Sequence, residues 1–222
     1  MTTVSTRYCA VLWDMDGTLI DSEPLHFRSM AHALAHLGVP TDDGLQAKTT
    51  GLSESEVLDF CRSSLGISVS AEVWAALRHD YYLARSMSLQ ARHGALPVFL
   101  HLAGSGVPQA VVSNSARLIV DANMRALALD EAGIGNILSI SRNDVLKAKP
   151  HPEPYLLAAT RLGLHPAECL VVEDSLAGVS AGVAAGMHVL YWPEGMPLAH
   201  AHGAVTCVNS APELEARLSA LL

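Results

Sequence analysis

Residues 8–23 read YCAVLWDMDGTLIDSE, and this stretch decides the fold. Its apolar run, residues 9–13, is typical of a short strand buried on both faces of a parallel sheet. Asp14 and Asp16 follow at once, and Gly17 permits a tight exit that a side chain would obstruct. Open α/β sheets bind ligands at the carboxyl ends of their strands. The two carboxylates are therefore predicted to lie at a ligand site.

The spacing of Asp14 and Asp16 indicates the chemistry of the predicted site as well as its position in the fold. Two neighbouring carboxylates repel each other unless a cation or a proton lies between them. Mg²⁺ is the cation that suits oxygen ligands best. One carboxylate can then act as a nucleophile and the other as an acid and a base. The alternative is an ordinary turn at the end of a strand, where Asp and Gly are common.

Composition limits the class of protein. Of the 222 residues, 50% are hydrophobic and 16% are charged, which predicts one folded domain with room for an insertion. The formal net charge of −8 argues against nucleic acid or an anionic membrane as a partner. A small anionic substrate remains compatible, because a metal and a few cations decide the local field. We expect a monomer or a weak dimer.

The cysteines and the first residues of the chain indicate a compartment. The four cysteines are dispersed without a C-x-x-C pair, which favours a reduced, cytoplasmic setting. The first apolar run is too short for a signal peptide and ends at Asp14. No apolar run in the sequence approaches the length of a membrane helix. We therefore predict a soluble cytoplasmic protein.

Strand and helix patterns alternate along most of the chain. After the first strand, further strands are predicted, with helices between them, at 109–113, 137–140, 169–172, 188–191 and 205–208. Strands that alternate with helices indicate a doubly wound parallel sheet with right-handed crossovers. The predicted fold class is therefore α/β, with a Rossmann-like core made of residues 1–21 and 90–222.

Residues 22–89 interrupt this alternation with a purely helical pattern. Helices are predicted over 24–34, from Ser53 with Glu56 completing a capping box, and over 71–87. The apolar face of the last helix is predicted to carry Val73, Leu77, Tyr81 and Ala84. We predict an all-helical domain inserted into the core.

Polar side chains follow the predicted strands at the sheet edge that carries Asp14. Ser113 follows the second strand, Glu173 and Asp174 follow the fourth, and Lys149 lies in the loop after the third. In a doubly wound sheet these positions converge. Carboxylates for a metal, a hydroxyl donor and a fixed cation together suit phosphoryl transfer.

Each of these residues also has an ordinary structural interpretation. Ser113 and Asp174 are of the types that cap helices, and Glu173 could be a solvated neighbour. Lys149 could be a surface lysine, with Lys147 as the competing candidate. The joint occurrence of all of them at strand ends favours a functional site.

The same residues lie in four short motifs: DMDGTL at 14–19, VVSNS at 111–115, KPHPEPY at 149–155 and VVEDSLAG at 171–178. In type, order and position at strand ends they resemble the four motifs of the haloacid dehalogenase superfamily. The likeness is greatest to its phosphatase and phosphomutase branch, and the overall layout is similar to that of bacterial sugar-phosphate phosphatases. The resemblance covers nearly the whole chain.

This resemblance implies a role for each motif residue. Asp14 would attack phosphorus and become an aspartyl phosphate. Asp16 would protonate the leaving oxygen and then deprotonate the water that cleaves the intermediate. Mg²⁺ would be held by the Asp14 side chain, the Asp16 backbone carbonyl and Asp174, with Glu173 acting behind these ligands or through a water.

The resemblance also implies a set of phosphate contacts. Ser113 and Asn114 would bind the phosphate, with the Ser113 hydroxyl donating to a phosphate oxygen. Lys149 would offset the charge between Asp14 and the phosphate. Backbone N–H groups after Asp14 would cradle the phosphate oxygens.

Residues 22–89 match the helical cap domain of this superfamily, which covers the site and reads the part of the substrate beyond its phosphate. His26 matches a cap histidine near the leaving group, although a histidine on a helix surface would look the same. The segment 49–54, with Gly51 at its centre, resembles the substrate loop of the cap. The substrate contacts expected in the cap are therefore His26 and Gly51.

One departure from the family bears on the reaction. Thr50 and Glu54 stand where β-phosphoglucomutase has a lysine and an arginine. A mutase must hold a second phosphate, and such cations do so, which makes a phosphatase the favoured activity. Arg117 or Lys48 could still reach a carboxylate, so sugar-acid phosphates remain open.

The predicted function is that of a Mg²⁺-dependent phosphatase for a small phosphorylated metabolite, a sugar phosphate or a sugar-acid phosphate such as 6-phosphogluconate. The alternatives are a β-phosphoglucomutase-like phosphomutase and phosphatases of phosphoglycolate or of a nucleotide monophosphate. Haloacid dehalogenase itself needs no metal and no second aspartate, so Asp16 argues against it. A non-enzymatic binding protein on the same fold is least favoured, because binding requires no nucleophile paired with an acid.

Overall fold

The computed structural model describes residues 8–50, 52–129, 137–195 and 203–222. Six strands form one sheet in the order β3-β2-β1-β4-β5-β6, and every neighbouring pair is parallel. The strands are β1 Ala10–Trp13, β2 Gln109–Val112, β3 Leu138–Ile140, β4 Cys169–Glu173, β5 His188–Tyr191 and β6 Val205–Cys207. The predicted α/β class with a doubly wound parallel sheet is confirmed.

The α-helices of the described residues occupy the connections between strands and one long insertion after β1. They are α1 Glu23–His36, α2 Asp43–Thr49, α3 Glu54–Leu65, α4 Ala71–Leu83, α5 Ala95–Gly104, α6 Arg117–Ala126, α7 Glu153–Leu162, α8 Leu176–Ala184 and α9 Ala211–Leu221.

The strand order reverses at β1, which pairs with β2 on one side and with β4 on the other. Trp13, the last residue of β1, lies opposite Val111 and Val172 in the two ladders. Ligands of such sheets bind in the crevice outside the strand ends where the order reverses. The residues that follow β1 and β4 therefore share the mouth of this crevice.

Residues of β1 alternate between the two faces of the sheet, and each face is buried under helices. Val11 and Trp13 belong to a hydrophobic cluster with apolar residues of α5, α6 and α9. Ala10 and Leu12 belong to a second cluster with residues of α7 and α8. Burial on both faces explains why β1 is a continuous apolar run rather than an alternating one.

The four helices α1 to α4 pack around a third apolar cluster. Its fully buried members include Trp74 and Cys61. The chain enters and leaves this region side by side, because the N–H of Asp21 donates to the carbonyl of Gln90 over 3.0 Å. The division into a core of 1–21 and 90–222 and a cap of 22–89 stays a prediction.

Several element predictions need correction. Helix α2 is not among the predicted helices, because it has only seven residues, of whose described side chains Leu45 and Thr49 are buried. Helix α4 ends at Leu83 rather than at residue 87, and the hydroxyl of Ser86 donates to the carbonyl of Leu83 over 3.0 Å at that end. The sequence pattern predicts a helix over 116–129, but α6 ends at Ala126, since φ of Ala128 is 52°.

The buried face of α4 also differs from the prediction. Its buried residues are Trp74, Arg78 and Tyr82, whereas Val73 is 50% exposed. The i, i+4, i+8 series that begins at Trp74 buries two large aromatic side chains, which outweighs the smaller apolar series that begins at Val73. The consequence is that a charged side chain, that of Arg78, lies inside the protein.

Candidate active site

Asp14 lies directly beyond β1 and beside the end of β4. Its N–H donates to the carbonyl of Val172 over 2.9 Å, which extends the β1–β4 ladder by one residue. The residue is 8% exposed. Burial and the nearby carboxylate of Glu173 raise the pKa of Asp14 against the opposing charge of Lys149. This carboxyl therefore depends on neighbouring positive charge to remain ionised.

Lys149 supplies positive charge to this carboxyl. Its Nζ donates to Oδ1 of Asp14 over 2.7 Å, to Oε1 of Glu173 over 2.6 Å and to the carbonyl of Val112 over 2.7 Å. Burial lowers the pKa of this ammonium, but the two carboxylates raise it by more, so Lys149 stays charged. Lys147 is exposed, which identifies the lysine followed by proline as the buried one.

Asn114 fixes the backbone on which Lys149 is carried. Its Oδ1 accepts from the N–H of Lys149, and its Nδ2 donates to the carbonyl of Lys149, both over 3.0 Å. The predicted phosphate contact through the Asn114 side chain would compete with this reciprocal pair. In this structure Asn114 orients Lys149.

Glu173, the last residue of β4, is fully buried. Its Oε1 accepts from Lys149 and, over 2.7 Å, from the hydroxyl of Tyr155. Its Oε2 accepts from the hydroxyl of Ser175 over 3.0 Å. Both carboxylate oxygens are engaged by donors of the chain, so Glu173 anchors Lys149 from behind.

The carboxylates of Asp14, Glu173 and Asp174 offer oxygen atoms that all lie within 4.8 Å of one another. Burial and the charge of Glu173 raise the pKa of Asp174 to about 7, although the hydroxyl of Thr18 donates to its Oδ1 over 3.0 Å. Three crowded carboxylates with a single lysine leave excess negative charge. Such an oxygen-rich, anionic group fits a hard divalent cation of the Mg²⁺ type.

The carboxylate of Asp16 faces a different set of groups. Its Oδ1 lies 3.2 Å from Nε2 of His26 and accepts from the Ser22 hydroxyl over 2.7 Å. Its Oδ2 accepts from the hydroxyls of Ser113 over 3.0 Å and Ser115 over 2.8 Å. Burial raises the pKa of Asp16, but His26 and the hydroxyls of Ser22 and Ser115 outweigh burial and lower it, so the group is ionised.

Asn123 is a fifth donor to Asp16 that the sequence did not predict. It is fully buried in α6, and its Nδ2 donates to Oδ1 of Asp16 over 3.0 Å. The hydroxyl of Tyr82, in α4, donates to the Asn123 carbonyl oxygen over 2.9 Å. The signal in the sequence for this contact was an asparagine on an otherwise apolar helix face, because a polar side chain that is buried there needs a hydrogen-bond partner.

The helix-capping interpretations of the strand-end residues are wrong. Ala116, rather than Ser113, is the N-cap residue of α6. Ser175, rather than Asp174, caps α8, and its hydroxyl accepts from the N–H of Gly178 over 3.0 Å. The side chains of Ser113 and Asp174 therefore do not cap these helices, and both residues line the crevice at the strand ends.

A cavity of about 570 Å³ opens between the strand ends and the helices α1, α3 and α4. Asp14, Asp16, Lys149 and Asp174 line its floor, and His26 lines its side. The ring of His26 packs against that of Tyr82, with centroids 4.7 Å apart and planes tilted by 36°, and its Nε2 is directed at Asp16. The second predicted cap contact, Gly51, lies outside the described residues.

The cavity brings Arg78 into the site instead of the cations expected there. Neither Arg117 nor Lys48, both described, lines the cavity. Arg117 is bound away from it, donating to the hydroxyl of Ser139 over 2.7 Å and pairing with Asp144. The sequence did not indicate Arg78, because the apolar pattern that begins at Val73 predicts a different buried face for α4.

The doubly wound sheet places Asp14, Lys149 and Asp174 together at the point of strand reversal, where open α/β sheets bind their ligands. Residues 8–186 match the family described as haloacid dehalogenase-like hydrolase. The chain belongs to this family.

Two relatives of the chain are named as phosphatases. The chain is 31% identical to hexitol phosphatase A of Escherichia coli K12 over 179 residues, which cover 81% of this chain and 80% of the relative. It is 32% identical to phosphoglycolate phosphatase of Yersinia pseudotuberculosis over 183 residues, which cover 79% and 77% of the two chains. The predicted enzyme class is confirmed: the chain is a phosphoric monoester hydrolase.

Solved structures support the same fold. CbbY of Rhodobacter sphaeroides, crystallised with phosphate, superposes with a TM-score of 0.78 over 93% of this chain and 96% of that one, at 23% sequence identity. At this identity the likeness concerns the fold alone. In the part of the chain that the structure describes, no helix is long and apolar enough to cross a membrane.

Proposed function

We propose that the chain is a Mg²⁺-dependent phosphatase of a small phosphorylated metabolite, a sugar phosphate or a sugar-acid phosphate, and that it works through an aspartyl phosphate on Asp14. The observation that carries this proposal is Asp14 itself, buried at the floor of the cavity with its Oδ1 held 2.7 Å from Nζ of Lys149. The relatives named hexitol phosphatase and phosphoglycolate phosphatase support a small phosphorylated substrate.

Asp14 is the proposed nucleophile. One of its oxygens forms a bond to phosphorus while the bond from phosphorus to the substrate oxygen breaks, which leaves an aspartyl phosphate and an alcohol. Lys149 keeps the carboxylate ionised and offsets its repulsion from the incoming phosphate. Glu173 and Tyr155 hold Lys149 in place, so the cation is positioned before the substrate arrives.

Asp16 is the proposed acid and base. It would give a proton to the leaving oxygen and later take one from the water that attacks the aspartyl phosphate, so that it ends each turnover as it began. Its lowered pKa means that it must first acquire a proton, and the negative charge of a bound phosphate would raise its pKa. We propose that substrate binding alters the hydrogen bonds around Asp16.

Mg²⁺ would be held by the carboxylates of Asp14 and Asp174 together with the backbone carbonyl of Asp16. The close carboxylate oxygens of Asp14 and Asp174 support this choice. The ion would supply positive charge that neutralises the phosphate and draws electrons from phosphorus. Glu173 would lie behind these ligands, where its carboxylate accepts a hydrogen bond from Lys149.

The remaining predicted contacts are proposed as follows. The hydroxyl of Ser113, which donates to Asp16, would turn towards a phosphate oxygen when substrate binds. His26 would influence the proton on Asp16, since its Nε2 lies 3.2 Å from Oδ1. Asn114 would act through Lys149, and Gly51 would contribute to the substrate loop. The helical region 22–89 would serve as the cap of the site.

The test is phosphate release from a substrate panel, measured with Mg²⁺ and with EDTA. The panel contains hexose and hexitol phosphates, 6-phosphogluconate, glycerol phosphate, phosphoglycolate, nucleotide monophosphates and β-glucose 1-phosphate. We expect release that EDTA abolishes and that is strongest on a sugar derivative. Asp14→Asn should abolish turnover with the fold intact, because an amide is a poor nucleophile, and Asp16→Asn should slow both half-reactions.

Different results would refute different parts of the proposal. Phosphate release that persists in Asp14→Asn would exclude the aspartyl phosphate. Normal turnover by Asp16→Asn would remove the acid and base assignment. Isomerisation of β-glucose 1-phosphate without release of phosphate would make the enzyme a phosphomutase.

The dispersed cysteines still favour a reduced, cytoplasmic setting, and a monomer or weak dimer stays a prediction.

A further inference from the structure

Arg92 lies in the segment by which the helical insertion returns to the sheet, just beyond Gln90. Both of its backbone groups are bonded. Its N–H donates to the carbonyl of Leu19, in the loop after β1, and its carbonyl accepts from the N–H of Ala95, each over 2.9 Å. The side chain of Arg92 therefore starts from a fixed point beside the loop that carries the motif aspartates.

The guanidinium of Arg92 donates to three backbone carbonyls in two separate loops. Nη1 donates over 2.8 Å to the carbonyl of Gly17, in the loop after β1. Nη1 also donates over 2.6 Å to the carbonyl of Trp192, and Nη2 donates over 3.0 Å to that of Pro193, both in the loop after β5. The guanidinium carbon lies 3.8 Å from the centroid of the Trp192 ring, and this cation–π contact adds to the bonds. One side chain thus joins the two loops.

Both of these loops are attached to Asp174 or to the residue before it. In the loop after β1, Gly17 approaches Asp174 so closely that a Cβ at position 17 would lie 2.2 Å from Oδ2. The hydroxyl of Thr18, the next residue, donates to Oδ1 of Asp174 over 3.0 Å. In the loop after β5, the N–H of Trp192 donates to the carbonyl of Glu173 over 2.6 Å. A shift of either loop would therefore displace this carboxylate or the groups that hold it.

Two of the proposed Mg²⁺ ligands lie next to the bonds of Arg92. The backbone carbonyl of Asp16 directly precedes Gly17, and Asp174 is in contact with Gly17. We propose that Arg92 is a positioning residue of the metal site, which holds the Asp16 carbonyl and the Asp174 carboxylate in the arrangement that binds Mg²⁺. Arg92 does not line the cavity, so it would act through the two loops alone. The inference rests on the proposed Mg²⁺-dependent function and adds a residue that supports the ligands from outside the cavity.

The charge of Arg92 by itself would act in the opposite direction. A cation beside the site repels Mg²⁺, so removal of the charge alone would strengthen metal binding. Loss of the three hydrogen bonds would instead release the loops and weaken metal binding. A role in folding alone would leave the metal affinity of the folded protein unchanged. The sign of the change in affinity therefore distinguishes positioning from both other roles.

The test measures binding of Mn²⁺, which prefers the same oxygen ligands as Mg²⁺, to the full chain without substrate, by electron paramagnetic resonance of the free ion. Asp174→Asn, which removes a proposed ligand, identifies the Mn²⁺ bound at this site. We expect Arg92→Met to raise the Kd for Mn²⁺ by about 10–100-fold, as loss of a residue that supports metal ligands does. Arg92→Lys keeps the charge and can replace one of the two donor nitrogens, so its Kd should rise by only about 5-fold. In phosphate release, kcat of Arg92→Met at saturating Mg²⁺ should fall by less than about 3-fold, because the variant loses metal binding rather than a group that acts in the reaction.

Arg142→Met is the matched control, because Arg142 is an exposed arginine whose Nη1 donates over 2.9 Å to the carbonyl of Val145, in the loop after β3. It removes the same charge and should leave the Kd for Mn²⁺ within about 2-fold of the wild type. An unchanged or lower Kd in Arg92→Met would overturn the inference, and if that variant does not fold, an unchanged Kd in Arg92→Lys would do so. Wild-type protein that binds no Mn²⁺ and releases phosphate equally well in EDTA would refute the proposed function and the inference together.

Discussion

Asn123 of α6 donates a hydrogen bond to Oδ1 of Asp16, 107 positions earlier in the chain, over 3.0 Å. The same asparagine accepts from the hydroxyl of Tyr82, in the helical insertion, over 2.9 Å. One buried amide thus connects the insertion to the carboxylate proposed as acid and base. The position of that carboxylate consequently depends on how α4 and α6 pack.

Asn123→Ala should lower kcat about 10-fold, because Asp16 loses one of the donors that orient it and a charge-assisted hydrogen bond contributes on this scale. Steady-state phosphate release measures the effect, with thermal unfolding to establish that the variant is folded. Tyr82→Phe is the control, since it removes the hydroxyl and leaves the bond from Asn123 to Asp16 in place. Equal kcat values for Asn123→Ala and the wild type would show that Asp16 needs no such support.

Lys149→Met should reduce kcat by at least ~10³-fold and destabilise the fold by about 3–5 kcal/mol. The reason is that Asp14 and Glu173 would remain buried without the ammonium that lies 2.7 Å and 2.6 Å from them. Phosphate release and denaturant unfolding measure the two effects. The exposed Lys147 offers the matched control, and Lys147→Met should change neither quantity appreciably. A similar loss in both variants would contradict the assignment of Lys149.

Gly178→Ala should lower kcat about 100-fold, because a misplacement of about 1 Å in the supporting residues has effects of this size. A Cβ at Gly178 would lie 1.7 Å from Oε1 and 2.2 Å from Oε2 of Glu173. Glu173 would have to move, and Lys149 with it. Ser180→Ala on the exposed side of α8 is the control and should have near-normal kcat. Normal activity of Gly178→Ala would show that Lys149 does not depend on Glu173.

Asp144→Asn should lower the free energy of unfolding by about 1–2 kcal/mol at pH 7, from lost charge-assisted hydrogen bonds. Burial raises the pKa of Asp144, but Ser141 and Arg117 outweigh burial and lower it to about 2. A carboxyl with a lowered pKa stabilises the folded state above its unfolded pKa of about 3.9 and loses this effect as the pH falls. The difference between wild type and variant should therefore shrink between about pH 4 and pH 2. Denaturant unfolding across this pH range measures the difference in the free energy of unfolding, and a difference that stayed constant would contradict the prediction.

The glycines of α8 illustrate how far sequence reasoning reaches. Gly178 and Gly182 in α8 and Gly186 just beyond its end recur every four residues, a spacing that predicts close packing of this helix on the sheet. Gly182 behaves so, since a Cβ there would lie 2.7 Å from Cγ2 of Val189. Gly178 lies instead against the carboxylate of Glu173, and a Cβ at Gly186 would meet nothing within 4 Å. The pattern indicated a packed helix, but it could not tell which glycine gives space to a strand and which to a functional side chain.

The sequence by itself determined the α/β fold, the parallel sheet, the family and the residues gathered at the strand ends. The fold and the gathering at one edge follow from local signals, because apolar runs form buried strands and parallel strands bring their carboxyl ends to one edge. The family follows from the resemblance of the four motifs to those of the haloacid dehalogenase superfamily. Only the tertiary structure decided that Asn123 supports Asp16, that Glu173 anchors Lys149 and that Arg78 rather than Arg117 enters the cavity. Such contacts depend on which face of a helix turns inward, and that choice is made by packing over the whole molecule, since neighbouring faces of α4 are both partly apolar.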